Sequence, residues 1–226
     1  MAEITTRPYP GACPFQRADG DLFFGRPHET SALADLWQTN KLTIAYGPAA
    51  SGKSSLLQAG ILPSIPDKRF DVLPPGRVSY GATFPFAGLP EHNPYTLALL
   101  RSWAPGESPS RLIGLTIAEY IRRRARRRGA IILASVDQAE ELITDASPRW
   151  IYRQQFLREL SLHNRFCGAG GREEFSLQIL KGFAIASGHG NRGDHHTMSL
   201  VVKLDLRHHP QIGNRFQYAG ELRDFA

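Results

Sequence analysis

The chain of 226 residues is long enough for one large domain, or for one domain with a small appendage. Its hydrophobic fraction of 42% can build a core, and its formal net charge is +6. No apolar run is long enough to cross a bilayer, and residues 1–10 lack the apolar region of a secretory signal, so neither feature is predicted. Cys13 and Cys167 lie far apart without metal-type spacing, which favours buried thiols in a reducing compartment. We therefore expect a cytoplasmic protein.

Residues 1–28 form a leader rich in Pro, Gly and Phe. This leader is too apolar to stay free in water, so we expect it to pack on the domain that follows. Its simplest role is to cover a hydrophobic surface. A sharper hypothesis is that Phe23-Phe24-Gly25-Arg26 forms a wall of the nucleotide pocket that the next motif predicts. A helix is predicted from Glu29, with Leu33 and Trp37 on its apolar face.

Residues 47–54 read G-x-x-x-x-G-K-S, the P-loop pattern. Apolar residues 42–46 precede the pattern and 56–62 follow it, which gives the required strand–loop–helix context and argues against a chance glycine-rich turn. The glycines let backbone N–H groups surround phosphate oxygens at the positive end of a helix. Lys53 can bind the β- and γ-phosphates, and the Ser54 hydroxyl can bind Mg²⁺. The candidate nucleotide contacts are Gly47, Pro48, Ala49, Ala50, Ser51, Gly52, Lys53, Ser54 and Ser55.

The segment between the P-loop and the arginine-rich region contains two predicted elements. A strand is predicted near residues 77–84, directly after the turn Pro74-Pro75-Gly76. Asn93 followed by Pro94 has the pattern of a helix N-cap with proline in the first helical position.

A helix predicted at about 112–128 carries six arginines within Arg122–Arg128, and these equal the net charge of the chain. Such a run can bind nucleic acid or another anionic partner. However, apolar residues recur every four positions, which predicts one buried stripe with the arginines on the other faces. The stripe consists of Ile113, Ile117, Ile121 and Ala125. Since the run also ends at Gly129 and contains no aromatic residues for base stacking, the pattern favours a solvated helix C-terminus over nucleic-acid binding.

Residues 130–136 are a continuous apolar run that predicts a strand buried on both faces, with Asp137 at its C-terminal end. Ligands of open parallel sheets lie at that edge, so Asp137 is the candidate Mg²⁺ partner known as the Walker B acid. The next residue, Gln138, can orient a water molecule but cannot accept its proton. Glu140 or Glu141 could supply a base; otherwise both are acids that stabilise a helix N-terminus.

The remaining segments are predicted less directly. An amphipathic helix at 148–162 is followed by a short strand at 165–169. Arg172 then lies where it could contact a γ-phosphate, or it pairs with a neighbouring glutamate. Residues 198–206 can form a final strand.

Several of these groups, in this order, resemble the novel STAND NTPases of type 1, which are bacterial signal-transduction ATPases with numerous domains. The resemblance spans about Tyr9 to Phe183. The residues that carry it are Cys13-Pro14-Phe15, Leu22 to Arg26, the P-loop with residues 56–63, Asp137-Gln138-Ala139-Glu140-Glu141-Leu142 and Arg172-Glu173-Glu174-Phe175.

The resemblance implies a switch that binds ATP, hydrolyses it slowly and couples nucleotide state to oligomerisation, with sensor and effector domains elsewhere. It also implies that Arg26 lies near the nucleotide, that Arg172 is a sensor-like arginine and that Gln138 is normal for the family. Residues after Phe183 match the family poorly. We therefore expect a truncated chain without the helical lid, which would weaken nucleotide binding and switching.

Together these inferences predict a three-layer α/β P-loop domain of the additional-strand type, with sheet order 5-1-4-3-2 and flanking helices. The predicted strands lie near 42–46, 77–84, 130–136, 165–169 and 198–206. The expected division is a leader at 1–28, the NTPase domain at 29–183 and a divergent tail at 184–226. The expected function is binding of ATP and Mg²⁺ with weak hydrolysis, in a module that forms homo-oligomers or pairs with sensor and effector proteins. The alternatives are a non-hydrolysing interaction fragment and a DNA-associated regulator that uses the Arg122–Arg128 helix.

Overall fold

A computed structural model of the protein describes residues 11–40, 42–79, 92–128, 131–144, 150–163, 196–204 and 216–219. The helices in this part of the chain are α1 (Pro27–Thr39), α2 (Lys53–Ser55), α3 (Leu62–Ser64), α4 (Pro94–Trp103), α5 (Pro109–Leu112), α6 (Ile117–Arg128), α7 (Glu141–Thr144) and α8 (Trp150–His163). The strands are β1 (Leu42–Pro48), β2 (Phe70–Val72), β3 (Ile131–Val136), β4 (His196–Leu204) and β5 (Phe216–Ala219). A 3₁₀-helix at Arg17–Leu22 precedes α1, and π-helical turns at Leu56–Ile61 join α2 to α3. None of these described helices has the length and apolar character that a membrane span requires.

The described strands form one sheet in the order β2-β3-β4-β1-β5. Strand β1 pairs in parallel with β5, and β2 pairs in parallel with β3. Strand β4 runs antiparallel to both β1 and β3 and separates them. Consequently the strand that leads into the P-loop and the strand that ends before Asp137 lie one strand apart.

Helices cover both faces of the sheet. Ile132 and Val136 of β3 belong to a buried apolar cluster that also contains residues of α4, α6 and α8. Ile131 and Leu133 belong to a second cluster, formed with α1 and the π-helical turns. Because successive strand residues point to opposite faces, this alternation places the sheet between two apolar layers. The predicted α/β class with helices on both faces is therefore observed, and the predicted buried strand at 130–136 is confirmed as Ile131–Val136, where all six residues are buried.

A regular strand that the sequence did not predict lies before the predicted second strand. This strand is Phe70–Val72, before the Pro74-Pro75-Gly76 turn, whereas the prediction placed a strand after that turn. Residues 77–79 are not in a strand, and residues 80–84 of the prediction lie outside the described residues. The two prolines have no N–H to donate, so regular pairing stops and only an isolated bridge between Gly76 and Val136 continues it.

The predicted places of the last two strands also need correction. The prediction put residues 165–169 between the first and third strands and residues 198–206 at the edge. In the structure β4, residues 196–204, occupies the central place, and β5 forms the edge beside β1. The segment 165–169 lies outside the described residues. The apolar run Leu200-Val201-Val202 suits a central strand, which is covered on both faces, better than an edge. Both strands come from the part of the chain that the sequence assigned to a divergent tail.

The start of α4 is confirmed. The Asn93 side-chain oxygen accepts the backbone N–H groups of Tyr95 and Thr96 at 3.1 and 3.4 Å. Pro94 occupies the first helical turn, where its missing N–H costs nothing. This cap fixes the entry of a helix whose residues are almost all buried.

The arginine-rich helix begins later than predicted. Gly114 adopts φ 78°, a left-handed conformation that separates the short helix Pro109–Leu112 from α6. Ile113 is therefore 37% exposed and does not belong to the buried stripe, whereas Ile117 and Ile121 are fully buried. The predicted stripe is correct only for the part that is helical.

The arginines of α6 have two different environments. Arg122, Arg123 and Arg126 are exposed. Arg124 instead donates from Nε and Nη2 to the two carboxylate oxygens of Asp71 at 2.6 and 2.9 Å. Asp71 belongs to β2 and is 3% exposed, so this bidentate pair fastens the helix to the edge of the sheet.

Candidate nucleotide site

The P-loop connects β1 to α2 through two left-handed residues. Ala50 has φ 60° and Gly52 has φ 82°. Gly52 precedes the first helical residue, Lys53, where a side chain would strain the backbone. A non-glycine residue such as Ala50 adopts this conformation rarely and at a cost of about 1 kcal/mol or more. Such local strain is typical of loops that the surrounding structure holds for binding.

The Lys53 side chain is buried and folded over the P-loop. Its Nζ atom donates to the carbonyl oxygens of Gly47 and Pro48 at 3.0 and 2.6 Å, and to Ser51 Oγ at 3.0 Å. Burial lowers the pKa of Lys53 to about 8, with a smaller lowering by Arg26, while the negative charges of Glu140 and Asp137 oppose this change. At pH 7 the ammonium is still mostly protonated. The Lys53 ammonium is therefore buried and bonded only to neutral oxygen atoms, and it can exchange these bonds for stronger ones to phosphate oxygens.

The two serines at the start of the P-loop helix differ in their contacts. Ser54 is half-buried at the second helical position. The Ser55 hydroxyl accepts the backbone N–H of Phe15 at 3.1 Å, so it holds the leader against the P-loop helix. Ser55 was predicted as a nucleotide contact, but in the structure its hydroxyl binds the leader.

Asp137 directly follows β3 and is 1% exposed. Its backbone N–H donates to the Gly76 carbonyl at 2.8 Å, and its Oδ2 lies 3.1 Å from Arg77 Nη2. Its negative charge also raises the pKa of Lys53, against the lowering by burial. The carboxylate predicted at the end of the third strand and the lysine of the P-loop are thus brought to the same edge of the sheet.

The two candidate bases differ in their electrostatic surroundings. Glu140 is half-buried, and its negative charge raises the pKa of Lys53, which places it on the P-loop side. Glu141 begins α7, and burial raises its pKa, while Arg77 and hydrogen bonds from Ser79 act in the opposite direction. The raised pKa makes the Glu141 carboxylate a better proton acceptor than an unperturbed glutamate, whereas the charge of Glu140 acts directly on Lys53.

Gly25 and Arg26 lie at the N-terminus of α1. Gly25 has φ 90°, which requires a glycine, and Arg26 is the residue before the first helical turn. A Cβ atom placed on Gly52 would lie 3.6 Å from Arg26 Nη1, so the guanidinium lies against the P-loop. Among the described residues this buried Nη1 has no hydrogen-bond partner. A buried, unsatisfied cationic donor beside a P-loop fits an anionic ligand.

A groove of about 740 Å³ adjoins this arginine. It runs between the leader, α1 and the helix that follows the P-loop. The residues Phe23, Phe24, Gly25 and Arg26 all line it. This segment therefore does form one wall of a cavity, but the groove follows residues 59–64 after the P-loop helix, and no residue of the loop 47–55 lines it.

Arg77 also belongs to this site, although no sequence motif predicted it. Its guanidinium pairs with Asp137, and its Nη1 also donates to the side-chain oxygen of Gln138. No motif indicates this residue, because its position depends on how the segment after β2 passes the end of β3. The predicted sensor residue Arg172 lies outside the described residues.

The residue types at this site fit a magnesium–nucleotide complex. The Ser54 hydroxyl and the Asp137 carboxylate are oxygen donors of the kind that Mg²⁺ prefers, and the ion commonly uses only one or two such protein ligands. The unsatisfied Arg26 Nη1 and the Lys53 ammonium supply positive charge for phosphates. Among the described residues no group of three or more His, Cys, Asp or Glu forms a metal cluster, so a multi-carboxylate metal site is not found there.

The chain matches a known protein family. The family model described as Novel STAND NTPase 1 matches residues 8–177, well over half of the chain. No curated protein and no solved structure matches. The matched residues include Gly25 and Arg26, the complete P-loop, Asp137 and the two candidate bases.

Proposed function

Because the chain belongs to the Novel STAND NTPase 1 family, we propose that it binds ATP with Mg²⁺ at the P-loop, hydrolyses it slowly and acts as a switch module. The observation that carries this proposal is the convergence of Lys53, Asp137 and Glu140 at one edge of the sheet. The strands β1 and β3, which precede these residues, are separated by a single strand, β4, although β4 runs antiparallel to both. The family supports nucleotide binding in general, and the proposal adds that the nucleotide is ATP.

Phosphate binding is assigned to the loop 47–54. Lys53 would exchange its bonds to the Gly47 and Pro48 carbonyl oxygens for bonds to phosphate oxygens, which carry more negative charge. The backbone N–H groups at the start of α2 add the positive end of the helix. Arg26, whose guanidinium lies against Gly52, would add a second cation. The adjoining groove at Phe23 and Gly25 is the proposed place of the base and sugar.

Ser54 and Asp137 are the residues that would hold Mg²⁺. When bound, the ion neutralises charge on the β- and γ-phosphates. The protein's part is to present one hydroxyl and one buried carboxylate at the same edge of the sheet.

Hydrolysis joins a water oxygen to the γ-phosphorus while the bond to the β–γ bridging oxygen breaks, and the water proton must be accepted. Gln138 can only orient this water. Glu140 or Glu141 would accept the proton, and both are offset from the position directly after Asp137. A base placed in this way supports slow turnover, which suits a switch that spends most of its time in one nucleotide state.

For the setting of this activity we propose a cytoplasmic signalling or defence module that forms homo-oligomers or pairs with sensor and effector proteins. The leader, residues 1–28, is proposed to cover the P-loop helix, because Phe15 binds Ser55 and a Cβ on Gly20 would contact the Ala59 carbonyl at 3.3 Å. Arg172 remains the proposed sensor of the γ-phosphate.

The decisive experiment measures binding and turnover separately. Wild type, Lys53→Ala and Asp137→Ala are compared for binding of a fluorescent ATP analogue, with Mg²⁺ and with EDTA, and for phosphate release. We expect Lys53→Ala to lose binding in both conditions and Asp137→Ala to lose only the part that depends on Mg²⁺. Wild type that binds no nucleotide would refute the proposal.

One observation favours a second candidate, a nucleotide-binding interaction module without hydrolysis. Gln138 follows Asp137 in a strained conformation, with φ 55°, and its side chain is used by Arg77. If Arg77 keeps this hydrogen bond when nucleotide is bound, the Gln138 side chain cannot orient the attacking water. Binding by wild type without phosphate release above the Asp137→Ala background would favour this candidate.

A further inference from the structure

Arg77 is fixed at both ends. Its backbone N–H donates to Ser102 Oγ at 3.1 Å, and that hydroxyl donates to the Ala98 carbonyl within α4 at 3.1 Å. Its guanidinium reaches Asp137 and Gln138. One helix therefore holds the main chain of Arg77 while two residues at the end of β3 hold its charge.

Asp137 needs a positive partner. Its side chain is 2% exposed, and a carboxylate removed from water to this degree is costly unless a cation or several hydrogen bonds compensate it. Lys53 contributes some attraction, but its Nζ donates to two carbonyl groups and to Ser51. Arg77, at 3.1 Å, forms the direct ion pair.

The same carboxylate is the proposed Mg²⁺ partner, so the following step rests on the proposed function. We propose that Arg77 is an exchangeable counterion of Asp137, which Mg²⁺ must displace when the metal–nucleotide complex forms. Arg77 thereby sets the concentration of Mg²⁺ that the switch requires. It is a positioning residue, because it acts on the site through Asp137.

The geometry favours exchange over a permanent bond. The pair has one contact of 3.1 Å, and the Arg77 side chain is 36% exposed, so water can take over its charge when it leaves. Its second partner, Gln138, is neutral, so this hydrogen bond is weaker than one to a carboxylate and less costly to break. The charge of Arg77 also acts on Glu141, so its departure changes the candidate base as well.

The test compares Arg77→Gln with Arg126→Gln, which removes the same charge from an exposed position on α6. Each protein, saturated with a fluorescent ATP analogue, is titrated with MgCl₂. We expect the apparent Mg²⁺ affinity of Arg77→Gln to rise about fivefold or more, since one competing ion pair is removed, and that of Arg126→Gln to stay at the wild-type value. Equal affinities in the two variants, or a weaker affinity in Arg77→Gln, overturn the proposal.

A second readout does not need nucleotide. In EDTA we expect Arg77→Gln to melt about 3 °C or more below Arg126→Gln, because Asp137 has lost its direct counterion. Added MgCl₂ at tens of millimolar should narrow this difference. If wild type binds no nucleotide, the proposed function fails, and this readout still decides the role of Arg77: a difference that Mg²⁺ does not narrow refutes exchange.

If Arg77→Gln does not fold, Gln138→Gly serves in its place. Glycine accepts the φ of 55° and removes the neutral partner of the guanidinium. The rise in Mg²⁺ affinity should then be smaller, about twofold, because the ion pair with Asp137 remains. No rise in this variant counts against the proposal.

Discussion

Two aspartates of this sheet are almost completely buried, and each is paired with an arginine, yet the two pairs differ in geometry. Arg124 binds Asp71 through two bonds of 2.6 and 2.9 Å, whereas Arg77 reaches Asp137 through one contact of 3.1 Å. Arg124 is also the less exposed of the two arginines, at 28% against 36%. The bidentate pair fastens α6 to β2, and the single contact lies at the proposed metal site. Burial alone therefore does not distinguish a structural ion pair from one that exchanges its partner.

The largest expected effect separates the two aspartates by activity. Asp137→Asn should reduce Mg²⁺-dependent turnover about a hundredfold or more, because an amide is a poor ligand for Mg²⁺. Asp71→Asn should keep nucleotide affinity within about twofold, provided that it is measured below its melting temperature. Steady-state phosphate release and analogue binding check both outcomes. An equal loss of Mg²⁺-dependent turnover in the two variants would contradict the distinction between the two aspartates.

The second prediction separates the two pairs by stability. Arg124→Gln should lower the free energy of unfolding by about 2–3 kcal/mol, since it leaves the Asp71 carboxylate buried with no bidentate partner. The matched control is Arg123→Gln, an exposed neighbour on the same helix, for which we expect a change within about 0.5 kcal/mol. Urea unfolding measures both. A control that loses as much as Arg124→Gln would show that helix charge, and not the ion pair, is responsible.

A third prediction uses the difference between arginine and lysine. Lysine cannot form the two parallel bonds that Asp71 receives, so Arg124→Lys should cost about 1–2 kcal/mol. Arg77→Lys should cost less, about 0.5–1 kcal/mol, because one contact with Asp137 does not need the planar fork and only the bond to the neutral Gln138 is lost. Chemical unfolding in EDTA tests the pair of variants. Similar costs would mean that Arg77 is held as firmly as Arg124.

The smallest expected effect concerns Glu159 of α8, a partly buried carboxylate that contrasts with both aspartates. Thr96 Oγ1 and the Ile117 N–H donate to it at 3.3 Å each, and burial raises its pKa above the ordinary value of 4.5. Its folded-state pKa exceeds the unfolded value, so its contribution to stability is fully present at low pH and is lost as the pH rises through the folded pKa. Glu159→Gln keeps an acceptor oxygen and cannot ionise.

We therefore expect Glu159→Gln to melt about 2 °C above wild type at pH 7, and this advantage to disappear at pH 4. Melting curves at the two pH values measure the effect. An advantage that is equal at both pH values would show that ionisation is not its cause.

Several features follow directly from local sequence. The P-loop, the Asn93 cap and the strand before Asp137 depend on residues close together in the chain, and the structure has all three where the sequence predicted them. The start of α6 was predicted too early, because the apolar spacing continues back to Ile113 although the left-handed Gly114 interrupts the helix. The strand Phe70–Val72 was not predicted, and the prolines of the following turn limit the next pairing in the described residues to one bridge at Gly76.

The sequence by itself determined the P-loop, the buried strand with its terminal acid and the α/β class, since each depends on periodicity or on one contiguous motif. Only the tertiary structure decided that residues 196–204 lie between β1 and β3, and that Arg77, rather than a motif residue, is the direct cation of Asp137. Pairing between distant segments and the partner of a buried charge depend on contacts across sixty or more positions, which no local pattern encodes. The position of the P-loop lysine was thus predictable from the sequence, whereas the ion pair between Arg77 and Asp137 was not.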